Sequence, residues 1–484
     1  MPLSSKSPHS PLFRVLTDDD VQQIHETVLK VVSQVGVEFL HEEAHDAFRE
    51  AGASVDGNRV CIPPDIFMEV LSHAPKSFTF YDRGGNQHML LEPYEVHFGT
   101  YGTAPYWYNP FTGERELSTL ETIALTAKVC DALPNVEWSM PMGVPSDVPA
   151  AIADRYQFFQ AVTNNTKTLY SSAYTEEGMA DVVEMAAVVS GGLDCLRERP
   201  YFTTGINPGS PLRYDHEVTG KLLVMAKAGL PMVFNPMPMA GGTTPTTMAS
   251  VIVIALVEGL AGAVLAQMIN PGVPVVTGGV LATMDMQTTI CTYGAPELTL
   301  MMAGITEMNR FYGVPSYGTA GCSNAKGVDP QAAIEATNSL LGSALAGSNM
   351  IHDIGLIDTG MTVSLEAFVM SDEIIKMVRR IAGGLKVSEE TLAFDVIAEA
   401  GPGGHFLDRA HTLKHFREHH RSALIDRQNY DGWIASGSHS MNDRMTEEVH
   451  NILENHEPPP LRDEVIREME AIMARADKRM REGA

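Results

Sequence analysis

From His97 onward, short apolar runs alternate with stretches of helical period. The runs begin near His97, Val136, Thr168, Tyr201, Pro231, Pro274, Pro315 and Asn349, and a helical pattern follows each one. Their starts are spaced by 39, 32, 33, 30, 43, 41 and 34 residues. Eight buried strands, each leading into a helix at that interval, is the sequence form of a (β/α)8 barrel. Helix-start signals agree with the count. Ser118 and Glu121 have capping-box spacing, Asp147 stands before Pro149, Asp329 before Pro330, and Pro296-Glu297 opens LTLMMAGITEMNRFYG. The most apolar stretch, Met248 to Met268, is interrupted by Glu258 and Gln267, so it reads as a buried barrel helix rather than a membrane span.

The chain on either side has a different rhythm. Thr17 and Asp20 form a capping box ahead of a helix whose apolar face is Val21, Ile24, Val28, Val31, Val32 and Val35, with Gly36 as its stop. Amphipathic helices follow near Glu42 to Ala51 and Pro64 to His73, and Asp56-Gly57 marks a hairpin turn between them. After Leu385 the sequence turns helical and charged, ending in an apolar-striped helix from Pro460 to Arg481. The expected class is α/β: residues 1–93 form a mixed helical cap, 94–384 a TIM-type catalytic barrel, and 385–484 a helical extension packed on it.

Composition narrows the partners. Lys+Arg 34 against Asp+Glu 60 gives 34 − 60 = −26, a charge that repels phosphate backbones and anionic lipid, so neither nucleic acid nor membrane is expected. The five cysteines are scattered, odd in number and free of any Cys-x-x-Cys, as in a reducing, cytoplasmic compartment. The opening MPLSSKSPHSPLF has no apolar run of the signal-peptide kind. No Gly-x-Gly-x-x-Gly occurs, and PMAGGTTPTT lacks the lysine of a phosphate loop. The last helix's stripe and the acidic surface suggest a homo-oligomer.

Candidate chemistry gathers where barrel strands end, because that face carries the site in barrels of this type. The stretch from Pro315 to Glu366 reads as strand, glycine-rich loop, small-residue helix and a strand ending in His352 and Asp353, the candidate catalytic pair. Aromatics at strand ends are Phe98, Tyr101, Tyr170, Tyr174, Phe234 and Tyr317, with Tyr106, Trp107 and Tyr108 in the first loop; the polar candidates are Asn207 and Asn235. Core packing accounts for any single aromatic. Several framing a cationic group would each contribute about 0.5–2 kcal/mol. HEEAH at His41–His45 has the spacing of a zinc-protease helix, but it sits in the cap with no third ligand following, so both histidines are expected to face solvent and no metal is assigned. His411, His415 and His419 would line one helix face, with docking on the barrel as the plainer role.

Several segments together resemble the trimethylamine methyltransferase family: FGTYGTAPYWYNPFTGERELSTLETIALTAKVCDALPNV, PMPMAGGTTPTT, GAPELTLMMAGITEMNRFYGVPS, QAAIEATNSLLGSALAGSNMIH and GPGGHFLDRAHTLKHFRE. The resemblance implies a (β/α)8 barrel that passes a methyl group from a methylated nitrogen to Co(I) of a separate corrinoid protein. The founding members carry a pyrrolysine that this chain lacks, and the branch without it is associated with quaternary amines such as glycine betaine. A quaternary nitrogen already carries its leaving-group charge, so it needs a cationic cage and good positioning more than an acid. Substrate binding is therefore expected from Phe98, Tyr101, Tyr174, Asn207, Phe234, Asn235, Tyr317 and His352, and a corrinoid-facing surface from Gly241 and Gly242. No Asp-x-His-x-x-Gly occurs, so no cofactor is expected to be tightly bound and cobalamin would arrive on the partner. Three alternatives stand beside this reading. One is a demethylase of trimethylamine or of a sulfonium such as dimethylsulfoniopropionate; one is a non-catalytic betaine-binding barrel; one is a barrel lyase or hydrolase using His352 and Asp353 as acid and base.

Overall fold

The computed structural model describes residues 3–4, 10–102 and 104–483, and the rest of the opening stretch read for a signal peptide lies outside them. Eight strands make the barrel: β1 (Glu95–Thr100), β2 (Trp138–Ser139), β3 (Thr168–Tyr170), β4 (Phe202–Ile206), β5 (Met232–Phe234), β6 (Val275–Gly278), β7 (Ser316–Thr319) and β8 (Met350–Ile354). They pair parallel in chain order, and β8 closes on β1 with Met350 opposite His97 and Ile351 opposite Phe98. The eight apolar runs are the eight strands. Helices α1 (Leu120–Ala132), α2 (Ala153–Thr163), α3 (Glu176–Ser190), α4 (His216–Ala228), α5 (Met248–Ile269), α6 (Pro296–Tyr312), α7 (Pro330–Ala346) and α8 (Leu365–Ala382) follow the strands in turn.

Local start signals behave as side-chain reach dictates. Asp329 caps α7, accepting from Ala332 N at 3.1 Å with Pro330 in the first turn. The box that opens α1 sits one residue further on than expected: Thr119 accepts from Thr122 N and Thr122 Oγ1 from Thr119 N. Ser118 is buried instead, donating to Ala104 O at 3.3 Å. Asp147 does not cap the helix that follows it. The loop after β2 folds back, and Asp147 receives Leu120 N of α1 at 3.1 Å.

The cap helix Asp18–Lys30 has its Thr17–Asp20 box and buries Ile24 and Val28, with Val32 beyond it. Val35 is exposed because the last turn widens into a π-helix over Val31–Val35, which rotates the apolar face. A sheet of Val37–Phe39, Ser54–Asp56 and Arg59–Cys61 joins the cap to the barrel by pairing with Arg213–Tyr214 in the loop after β4. The hairpin Phe78–Tyr81 and Gln87–Leu91 precedes β1. Two small sheets rise over the opposite end. Tyr106–Tyr108 and Arg115–Leu117 from the loop after β1 pair with Leu356–Ile357 and Thr362–Val363 from the loop after β8. Met239–Ala240 pairs with Ala282–Thr283 as a ledge between the loops after β5 and β6.

The final helix, Asp463–Gly483, spends its stripe within the chain, burying Val465, Met469, Ile472 and Met473 beside α3. That stripe is therefore not the surface left over for a second copy. The short helix Ala410–His415 buries nothing, and a 3-10 turn at Phe416–Glu418 separates it from His419, so His411, His415 and His419 do not share one helix face.

α5 is long and apolar enough to cross a membrane, yet it lies buried in the helix layer, and its polar interruptions hold loops in place. Gln267 bonds Val273 O and Gly272 N, each at 2.8 Å. Glu258, fully buried, accepts from Ser210 Oγ at 2.8 Å and Leu212 N at 2.7 Å. Burial pushes the Glu258 carboxyl up to about 7, against the pull of those two donors. Between an unfolded value of about 4.3 and that level, the folded chain holds a proton the unfolded chain has lost, so stability falls as pH rises. Glu258→Gln removes the titration and keeps the bond from Leu212 N to the amide oxygen, with the amide nitrogen now donating to Ser210 Oγ. Its unfolding free energy is expected to stay flatter than wild type between pH 5 and 8 in scanning calorimetry, the gap widening toward pH 8 to about 3 kcal/mol.

Candidate active site at the barrel mouth

β8 does not end as a regular strand. Its register with β1 shifts between Ile351 and Ile354, and Asp353 has a φ of 83°. In a regular strand, neighbouring side chains point to opposite faces. Here the irregularity brings Asp353 Oδ1 to 2.8 Å from His352 Nδ1, with both side chains fully buried. On the other side of the ring, Thr319 Oγ1 lies 2.9 Å from His352 Nε2 and 3.0 Å from Gly279 O. With Nδ1–H donating to the Asp353 carboxylate, Nε2 of the neutral ring is left to accept from the Thr319 hydroxyl. The imidazole is held at both nitrogens, and Asp353 Oδ2 is left buried without a partner among the described residues.

Aromatic rings line up behind this pair. Tyr317 stacks on His352 at 4.2 Å and 10°, and on Tyr170 at 5.8 Å and 11°. Tyr101 lies 5.1 Å from His352, and Trp138 sits 5.7 Å from Tyr170. Absent side chains make this possible: a Cβ on Gly99 would fall 2.0 Å from the Trp138 ring, and one on Gly205 would fall 2.0 Å from the Tyr170 hydroxyl. Among the described residues, the hydroxyls of Tyr170 and Tyr317 find no partner beyond one another, and Asn207 Oδ1 and both amide atoms of Asn235 find none. Burial pushes Tyr170, Tyr293 and Tyr317 well up, and the charge of Asp353 adds to each. Cys291 is pushed up to about 11 by burial and then by Asp353. Buried polar atoms are rarely left orphaned, so this many in one barrel point to a bound molecule or ordered water.

A cleft of about 340 Å³ opens at the ends of β1 to β4, lined by Gly102, Pro141, Ser171, Tyr174, Asn207 and Lys221 among others. Lys221 bonds Ala173 O at 2.9 Å, and burial lowers its pKa. Asn207 joins cleft and stack: its Oδ1 lies 3.3 Å from the Cβ position over Gly205 that the Tyr170 hydroxyl also approaches. A larger opening of about 700 Å³ lies in the tail between His420 and Glu447, away from the barrel interior.

The sequence-derived candidates divide accordingly. Tyr101, Tyr317, His352 and Asp353 meet, and Asn207 lines the cleft. Asn235 is buried directly after Phe234, its amide without a partner among the described residues. Tyr174 stands at the rim, its hydroxyl donating to Gln157 at 3.2 Å. Phe98 and Phe234 face away from the stack. Arg379 of α8 lies over the Phe98 ring at 5.6 Å, and Phe234 packs against α5 at Gly262, where a Cβ would be 2.5 Å away. Gly241 and Gly242 lie beyond the ledge, beside Met239, Met284 and Met286. Neither HEEAH histidine faces solvent: the His41 side chain is only 13% exposed, and His45 is buried because Ala44, His45 and Phe48 form the inner face of their helix and a His45 ring nitrogen bonds Phe39 O at 2.6 Å. Sequence reading passed over Trp138, Thr319, Tyr293 and Lys221. None stands out from an ordinary buried strand, loop or helix residue until the barrel closes.

The sequence profile of the trimethylamine methyltransferase family matches residues 4–482. A glycine betaine methyltransferase of Desulfitobacterium hafniense strain Y51 is 35% identical over 475 residues, covering 98% of this chain and 99% of that protein. A trimethylamine methyltransferase from strain DCB-2 of the same species is 31% identical, covering 94% and 92%, and one from Methanosarcina mazei is 32% identical, covering 97% and 96%. The crystal structure of the Methanosarcina barkeri monomethylamine methyltransferase shares the fold, with a TM-score of 0.53 at 11% identity, covering 92% of this chain and 88% of that one.

The stack is testable through its tightest gap. Gly205→Ala places a methyl against the Tyr170 hydroxyl and is expected to destabilise by about 1–3 kcal/mol in urea unfolding. Adding Tyr170→Phe removes the closest atom but leaves the ring carbon Cζ 2.8 Å from the new methyl, so it should recover only part of that loss. An unchanged double variant would mean that the strain is relieved elsewhere.

Proposed function

As a member of the trimethylamine methyltransferase family, to which this chain belongs, the protein is a methyltransferase, and we propose that its donor is a quaternary amine with a carboxylate tail, glycine betaine or a close relative, and its acceptor the Co(I) of a corrinoid protein. The observation that carries the reading is the buried Oδ2 of Asp353, without a partner among the described residues, beside stacked tyrosines. A carboxylate in that setting needs a countercharge, and a trimethylammonium group supplies one that also favours aromatic faces. The relationship to the glycine betaine methyltransferase points to the same substrate class.

In this reading the cationic head lies against Tyr101, Tyr317 and His352, with Asp353 balancing its charge. The carboxylate tail turns to Asn207 and Lys221 in the cleft. The corrinoid supplies a nucleophilic electron pair on cobalt. As that pair forms the new bond to the methyl carbon, the N–CH3 pair stays on nitrogen and leaves a neutral tertiary amine, so no proton transfer is required. His352 is a positioning group, fixed at both ring nitrogens, that keeps Asp353 in place. Tyr170, Tyr317 and Trp138 exclude water, which strengthens the charge contacts and holds the methyl group in one orientation. The ledge with Gly241 and Gly242 leaves a low rim on which a broad macrocycle can settle, and its methionines give an adaptable apolar surface. The free thiols of all five cysteines suit a cytoplasmic enzyme.

Reduced cob(I)alamin, read in the visible spectrum with a panel of amines, tests the chemistry. Loss of the Co(I) band is expected with glycine betaine or a relative and not with trimethylamine. Calorimetry tests the site separately: Asp353→Asn should weaken binding of the quaternary amine by at least roughly 30-fold, the low end of about 2–5 kcal/mol for losing one partner of a buried charge pair. Equal affinity in that variant would overturn the role of Asp353. Binding without turnover, even with a cognate corrinoid protein, would favour a binding barrel instead.

A further inference from the structure

His41, Glu176 and His216 meet at the seam between cap and barrel, away from the tyrosine stack. Strand register brings the histidines together. Val37–Phe39 runs parallel to Arg213–Tyr214 with Phe39 opposite Tyr214, and Leu40 N continues the ladder to Tyr214 O at 2.9 Å. Two residues further along each strand stand His41 and His216, their rings 4.7 Å apart. Glu176, in the first turn of α3, brings Oε2 to 3.6 Å from His41 Nε2. It reaches that position because α4 has Gly220 there: a Cβ would lie 2.6 Å from the same oxygen.

The three side chains present one ligand atom each, all within 4.8 Å of one another. His41 is mostly buried, its Nδ1 has no partner among the described residues, and its Nε2 stands beyond hydrogen-bond reach of Glu176. A tetrahedral zinc with bonds of about 2.0–2.1 Å separates its ligand atoms by about 3.4 Å, close to the His41–Glu176 spacing. The surroundings are acidic. Glu217 Oε1 lies 3.8 Å from His216 Nδ1, and its other oxygen accepts from Glu176 N at 2.7 Å. A cleft lined by Thr175, Glu176, Glu177 and Glu217 opens beside the group and gives water access to a fourth position.

We propose that His41, Glu176 and His216 bind a divalent transition-metal cation, zinc by the match of two imidazoles and one carboxylate, which straps the cap to the starts of α3 and α4. The first histidine of HEEAH is thus a ligand, but its partners come from the barrel and not from its own helix. The site is independent of the methyl-transfer reading.

The test uses the full chain without a polyhistidine tag, stripped with EDTA, desalted, and titrated with zinc chloride. About one zinc per chain is expected to survive a second desalting, with the thermal midpoint raised by several degrees. His216 is 63% exposed in its side chain, so His216→Ala leaves the fold intact and should weaken zinc at least about ten-fold and abolish the thermal shift. The pair His411→Ala and His415→Ala, which removes the histidine contact in the tail, should change neither readout. Cobalt(II) in place of zinc should give visible absorption that His216→Ala loses. No retained zinc, or zinc that persists in His216→Ala and disappears with the tail histidines, would overturn the proposal.

Discussion

Closure of the barrel between β8 and β1 is the constraint on which the site depends. The two strands meet in parallel register as far as Ile351, then slip before Ile354. Perfect pairing would send His352 and Asp353 to opposite faces of the sheet. The slip, with Asp353 in the left-handed region, lets both side chains meet in the barrel interior. A bulge at a barrel rim commonly re-aims a side chain in this way. The backbone conformation is uncommon for a non-glycine residue, and the bond to His352 helps to hold it.

Around that pair the packing is set by missing volume as much as by bulky rings. Trp138, Tyr170 and Tyr317 are among the largest fully buried side chains, and a short-stranded barrel has limited room for three of them. Gly99 and Gly205 clear space for Trp138 and Tyr170, and Gly318 does the same toward Ser348, where a Cβ would fall 2.4 Å from Oγ. Small residues outside the barrel work by the same rule. Gly262 on α5 accepts the Phe234 ring, and Gly220 on α4 accepts the Glu176 carboxylate. Interiors pack at crystal-like density, so each large ring needs a hole of matching shape.

The strand-helix rhythm was fully legible because it follows from burial. Each barrel strand is covered on both faces and reads as an apolar run, and each helix carries its own period. Start signals were legible to within a residue where the capping side chain bonds its own helix, as at Asp329, and not where it bonds another, as at Asp147. Side-chain direction was the weakest point. Phe98 and Tyr101 both come from the end of β1, yet only Tyr101 reaches His352. Which face a strand residue occupies depends on pairing register, and an apolar run buried on both faces carries no alternation to reveal it.

Sequence by itself determined the eightfold βα order, the cap and tail flanking it, the family resemblance, and the placing of His352 and Asp353 together in the last barrel strand. Those follow from local patterns and from residue types that are costly to bury without purpose. Tertiary structure alone decided that Asp353 turns inward, that Phe98 and Phe234 turn out, and that His41 meets Glu176 and His216 rather than His45. Each is a contact between segments far apart in the chain. Their distance is set by strand register and by the space that glycines leave, and neither quantity is written in the order of residues along one segment.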